Sequence, residues 1–158
     1  MLDRQTFQIV VENTPLVSID ICLVSDDQIL LGQRINEPLR GFWFTPGGRI
    51  YKNETWENAL VRIAKVELGL PDLRVERFSL MGVWDHFYNN SAFDKNTTTH
   101  YVNLPHYIDV KYKPEIIIDC QHCDFQWFNL SVVANDVQFH PYMRNYARWL
   151  LNKMGTCI

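Results

Sequence analysis

The order of apolar runs predicts an α/β (α+β) fold, and three features carry that expectation. A hairpin pattern spans Leu16 to Leu31, a glycine-rich loop feeds a helix between Thr55 and Gly69, and later strand-like runs lead to a closing helix at Pro141 to Lys153. From Met1 to Val11, the polar Asp3, Arg4 and Gln5 mix with Phe7, Ile9 and Val10 as in an amphipathic helix. The runs Leu16 to Val24 and Ile29 to Leu31 then flank the turn-forming Ser25-Asp26-Asp27, which makes the hairpin. Gly41, Pro46, Gly47 and Gly48 punctuate a loop. Thr55 can cap the helix that follows, Glu57 sits in its first turn, and Gly69 stops it before Pro71. Strand-like segments follow at Phe78 to Phe87, Thr99 to Val110 and Phe125 to Phe128, and the polar stretch Asn89 to Asn96 reads as a long loop able to cover a site. No repeat, low-complexity tract or linker divides residues 1–158, so one domain is expected.

Composition narrows the class. The chain has 158 residues, 47% of them hydrophobic, enough for a core that folds alone, and a net charge of -3 offers no broad cationic face to nucleic acid. A small anion bound by a local basic cluster fits better. No segment approaches the roughly 20 apolar residues of a membrane span, and the N-terminal pattern lacks a signal-peptide hydrophobic region. Four scattered cysteines, Cys22, Cys120, Cys123 and Cys157, do not make a disulfide framework, which points to a reducing cytoplasm. Cys120-Gln121-His122-Cys123 also admits a zinc or redox reading, but no second cysteine pair completes a tetrahedral site.

On a helical wheel of Trp56 to Leu68, Ala59, Leu60, Ile63, Ala64 and Val66 share one arc, and Glu67 falls near its middle. A bare carboxylate there costs several kcal/mol, so it must meet a bound metal, Arg62 or another arginine, stay protonated, or reach solvent at the helix end. Upstream, Gly47-Gly48-Arg49 lets backbone approach a ligand closely. Gly48, Glu54, Arg62, Glu67 and Gly69 stand at the spacing of the Nudix box, with a glutamate six residues after the glycine and an arginine eight further on. The chain resembles a Nudix hydrolase. It departs from the box at Ile63 and Val66, where the family normally carries glutamates. With one box carboxylate left on that arc, a cluster of mutually repelling divalent cations has too few anionic ligands, and one Mg²⁺ sharing its shell with substrate phosphates is expected.

Further motifs narrow the resemblance. Leu31-Gly32-Gln33-Arg34, Gly41-Phe42-Trp43-Phe44-Thr45-Pro46, Gly82-Val83-Trp84-Asp85-His86-Phe87-Tyr88, Thr98-Thr99-His100-Tyr101 and Gln121-His122 are similar to those of the GDP-mannose mannosyl hydrolase branch, over most of the chain to about Trp127. That resemblance implies a mixed β-sheet sandwiched between α-helices and a homodimer. It also implies cleavage of the bond from the sugar anomeric carbon to oxygen, with inversion. It assigns the Mg²⁺ to the Gly47 carbonyl, Glu67 and Gln121, and the general base to His122, whose imidazole, with an ordinary pKa of about 6.5, suits proton abstraction near neutrality. Arg34 and Arg49, with Arg62 supporting, would oppose charge on the departing diphosphate. Asp20, His86 and Tyr101 are implied as further substrate-binding residues.

Plainer alternatives stand beside these roles. His86 and Tyr101 can be packed core groups and the arginines merely solvated. The enzyme can instead be a pyrophosphohydrolase splitting phosphorus from oxygen, or a silent module that binds a nucleotide sugar. Tyr142, Tyr146 and Trp149 on the last helix look exposed and suggest a surface for a second copy.

Overall fold

The computed structural model describes residues 2–93, 95–116 and 122–155. Helix α1 (Arg4–Asn13) starts at Asp3, whose side chain accepts from Thr6 N–H. It precedes the hairpin of β1 (Leu16–Ser25) and β2 (Gln28–Arg34), as the sequence predicts. Short strands β3 (Trp43–Phe44) and β4 (Gly47–Arg49) lead into α2 (Trp56–Leu68). Thr55 accepts from Asn58 N–H at its start, and Gly69 ends it in the left-handed conformation at φ 68°.

Two expected strands are each broken. Phe78 to Phe87 divides into β5 (Ser79–Leu80) and β6 (Trp84–Tyr88) around Gly82, whose φ of 120° takes the backbone out of a ladder. Thr99 to Val110 divides into β7 (Thr99–Asn103) and β8 (His106–Asp109) at Pro105, which has no N–H to give. Strand β9 (His122–Asn129) is longer than expected. The short α3 (Leu130–Asn135), capped by the Asn129 side chain, escapes sequence detection because it is under two turns long. Helix α4 (Pro141–Lys153) closes the fold as expected.

Strand β1 organises the mixed sheet. It runs antiparallel to β2 and β4 and parallel to β7 and β8. Strands β6 and β9 extend the sheet on β7 and β2. Both faces of β1 are buried apart from Val17, so apolar side chains occupy both faces, interrupted by Ser18, Asp20 and Ser25. Ile19, Ile21 and Leu23 pack with Leu60, Ile63 and Leu68 of α2, whereas Cys22 and Val24 pack with Tyr146, Leu150 and Leu151 of α4. The sheet is thus sandwiched between helices. No helix among the described residues is long and apolar enough to cross a membrane.

Candidate active site

The site begins where β4 lies against β1. Ile21 N–H donates to the Pro46 carbonyl and Ile50 N–H to the Val17 carbonyl, with Asp20 opposite Gly47 and Ser18 opposite Arg49 between them. In such a ladder Gly47 and Arg49 take the alternate positions, so their carbonyls point away from β1 along one edge. The Arg49 carbonyl there accepts from Arg62 Nη2 at 2.8 Å. The neighbouring Gly47 carbonyl shares that direction. Only glycine fits at 47, because a Cβ would overlap Asp20 Oδ1 and stand 2.7 Å from the Ile19 carbonyl.

Helix α2 packs beneath this edge. Its buried residues are Ala59, Leu60, Ile63, Ala64, Glu67 and Leu68, and at 100° per residue Glu67 lies at the centre of that arc. Glu67 is 7% exposed and opens on the same cavity as Gly47 and Gly48. Ile63 sits in the core with its side chain directly below Gly48. Val66 departs from the wheel prediction: it lies about 100° from Glu67, off the buried arc, and is 55% exposed. Arg62 pairs with Glu54, its Nε donating to Oε1 at 2.7 Å. It stacks on the Tyr51 ring. This ion pair holds the Glu54 carboxyl below its ordinary range.

A cavity of about 250 Å³ collects Asp20, Arg34, Gly47, Arg49, Arg62, Glu67, His86 and Tyr101, eight positions singled out in the sequence. A second cavity of about 390 Å³ continues it past Arg34, Arg49 and Tyr101 beneath α1, where the Arg49 guanidinium lies 3.8 Å from the Phe7 ring. Phe93, from the loop expected between Asn89 and Asn96, also lines this extension. His122 is placed differently. It pairs with Arg34 across β2 and β9, and its ring packs over Gly32 and Phe125, outside the lining of the main cavity. Gln121, Cys120 and Cys157 lie outside the described residues, as does the Cys123 side chain. Among the described residues no three His, Cys, Asp or Glu side chains form a ready-made metal cage.

The opposite wall holds a polar cluster that sequence reading found only in part. Asp20 Oδ2 accepts from Asn103 Nδ2 and, at 3.0 Å, from the Tyr146 hydroxyl. Burial pushes the Asp20 carboxyl up to about 6 against the pull of those hydrogen bonds and of Arg34. His86 packs face to face on Tyr142, ring centroids 3.9 Å apart, and burial, helped by His140 and opposed by Asp85, lowers it to about 4. Burial also raises the Tyr101 phenol, against the pull of Arg49 and Arg34. Asn103 Oδ1 is buried without a hydrogen-bond partner among the described residues, a cost of roughly 1–3 kcal/mol accepted where the amide's donors are committed to Asp20 and Tyr146. The aromatics of α4 are therefore not a free surface. Tyr146 is fully buried and Tyr142 half-buried against His86, because their i, i+4 spacing continues the core stripe of Met143, Ala147 and Leu150. That same stripe was the available signal for Tyr146.

The NUDIX domain family matches residues 14–150. The chain is 36% identical over 140 residues to the low-salt glycan biosynthesis protein Agl8 of Haloferax volcanii, covering 89% of this chain and 85% of that one. It is 35% identical over 137 residues to an ADP-ribose pyrophosphatase of Methanocaldococcus jannaschii, covering 85% and 75%. Its fold superposes on a MutT NUDIX hydrolase from Burkholderia pseudomallei with TM-score 0.68 at 26% identity, covering 87% of this chain and 99% of that one. The NUDIX domain of Shewanella oneidensis NrtR, complexed with ADP ribose, gives TM-score 0.69 at 18% identity, covering 97% and 94%. With the box spacing, the sandwiched mixed sheet and these relatives in agreement, the chain belongs to the Nudix hydrolase family.

Proposed function

We propose that the protein hydrolyses a nucleoside diphosphate sugar, GDP-mannose or GDP-glucose, by attack of water on the anomeric carbon with inversion. The observation that carries this choice is Ile63. An apolar side chain fills the dry space below Gly48 where the family normally has a glutamate, and Val66 faces outward, so Glu67 is the box carboxylate left in the cavity. Nudix hydrolases generally use a divalent cation such as Mg²⁺. One carboxylate beside an outward glycine carbonyl suits a single hard cation that takes its other oxygens from phosphate and water. Glu67 and Gly47 would hold it, with Gln121 as the further ligand the resemblance implies. The ion supplies charge neutralisation for the departing diphosphate.

The chain's own groups divide into two ends. Arg34 and Arg49, at the junction of the two cavities, face the diphosphate, and Arg62 holds β4 in register with α2. Asp20, His86 and Tyr101 receive the sugar end. His122, next to Arg34 in the sheet and outside the main cavity's lining, is proposed as the base on the resemblance alone. The glycan-biosynthesis name of the Haloferax relative agrees with a sugar nucleotide as substrate. A second reading, cleavage between phosphorus and oxygen, is favoured by the relative named an ADP-ribose pyrophosphatase. Turnover with Mg²⁺ in water labelled with heavy oxygen separates the two. Label in the free hexose supports attack at carbon, and label in a phosphate product establishes the second reading. A homodimer belongs to the same proposal, and sedimentation at micromolar concentration tests it.

A further inference from the structure

Helix α4 carries a hydrogen-bond arrangement that the Nudix box does not account for. The Tyr146 hydroxyl lies 3.0 Å from Asp20 Oδ2, 2.8 Å from Asn103 Nδ2 and 3.2 Å from His86 Nε2. A phenol has one proton to give and two lone pairs to receive with. The Asp20 carboxylate only accepts and the Asn103 amide nitrogen only donates. The phenol proton therefore goes to Asp20, and Asn103 donates to the phenol oxygen. The oxygen's remaining lone pair faces His86 Nε2, which must then carry hydrogen.

The other ring nitrogen agrees. His86 Nδ1 stands 3.4 Å from the Tyr88 hydroxyl, which can donate to it, and 3.4 Å from Asn103 Nδ2, whose two protons already go to Asp20 and Tyr146. The Tyr88 hydrogen bond is long, which leaves Nδ1 able to take a closer donor. A neutral imidazole has a single N–H, and the stack on Tyr142 fixes the ring plane.

We propose that Tyr146 is a positioning residue that holds His86 in its Nε2–H tautomer, so that the cavity presents the Asp20 carboxylate and His86 Nδ1 together as acceptors for the hydroxyls of a bound sugar. Such a wall selects a hydroxylated ring over phosphate, because hydroxyls donate and phosphate oxygens accept. Tyr146 does this without touching the ligand: it is fully buried and lies behind the cavity lining. The identity of the ligand rests on the nucleotide-sugar proposal, whereas the tautomer does not.

Long-range proton–nitrogen correlation spectra of the labelled full chain read the tautomer directly. The wild-type protein is expected to show His86 protonated at Nε2. Tyr146→Phe keeps the ring packing against Trp84 and Phe44 and removes only the hydroxyl. It should shift the ring toward the Nδ1–H form and raise KM for GDP-mannose about tenfold, with kcat within about threefold. A wild-type His86 protonated at Nδ1 overturns the proposal, as does a Tyr146→Phe variant whose tautomer or KM is unchanged. The wild-type spectrum decides the tautomer even where the variant does not fold. Absent turnover of GDP-mannose alongside the expected tautomer would count against the substrate and leave this assignment supported.

Discussion

Arg62 binds Glu54 with two guanidinium nitrogens, Nε to Oε1 at 2.7 Å and Nη2 to Oε2 at 2.8 Å, while Nη2 also reaches the Arg49 carbonyl at 2.8 Å. One side chain thereby ties α2 to the loop before it and to β4. Lysine keeps the charge but cannot make the fork. Arg62→Lys should leave the fold intact by circular dichroism while lowering turnover about tenfold or more, through misplacement of the Gly47 to Arg49 edge. Wild-type turnover would mean the edge is held without the fork.

Glu67 is the box carboxylate at the centre of the buried arc of α2. Glu67→Gln is nearly isosteric and removes the charge. Turnover should fall by roughly a hundredfold or more, and the stabilisation of the wild-type protein by millimolar Mg²⁺ in a melting experiment should disappear. Equal Mg²⁺ stabilisation of both proteins would remove Glu67 from the proposed ligand set.

Ile63→Glu restores the usual box residue in a site built without room for it. The carboxylate enters a core where Ile63 is 1% exposed, so melting in chelator should show a loss of several kcal/mol. Added Mg²⁺ should recover only part of that loss. Full recovery to wild-type stability would show that the space below Gly48 accepts a second carboxylate ligand.

Asp20 and His86 give stability opposite pH dependences. The folded Asp20 carboxyl titrates at about 6, above its unfolded value, so its contribution is full at low pH and declines as pH rises to about 6. The folded His86 imidazole titrates at about 4, below its unfolded value near 6.5, so its contribution is present above that value and declines as pH falls toward 4. Between about pH 4 and 6 the two slopes oppose each other. Asp20→Asn should leave stability rising with pH across that window, and His86→Gln should leave it falling, as measured by urea titration at several pH values. Identical slopes in both variants would refute these opposed shifts.

The Nudix half of the site was legible in the sequence because its information is local. Thr55, Gly69 and the helical period define α2, and the wheel alone puts Glu67 among apolar side chains. Val66 was misjudged because position on a wheel tells nothing of where the packed surface ends. Arg62 was read as supporting Arg34 and Arg49, and the partner that takes its fork, Glu54, is one only the folded loop supplies. The other half depends on long-range contact. Asp20 and Tyr146 are 126 residues apart, and Asn103 reaches both through the parallel pairing of β1 with β7. The helical stripe of α4 marks Tyr146 as buried, but no local period announces whom it meets, so its partners stayed hidden and Asn103 went unnoticed.

The alternation of β1 has a consequence for how specificity can change. Asp20 faces α4 while Ile19 and Ile21 face α2, so adjacent residues of one strand address opposite layers of the molecule. On the proposed assignment, the layer that handles the diphosphate and the layer that reads the sugar are two separately editable parts sharing a rigid spine. Substitutions along α4 can then retune which hexose is accepted while the phosphate machinery keeps its geometry, a natural seam for divergence among relatives or for redesign in the laboratory.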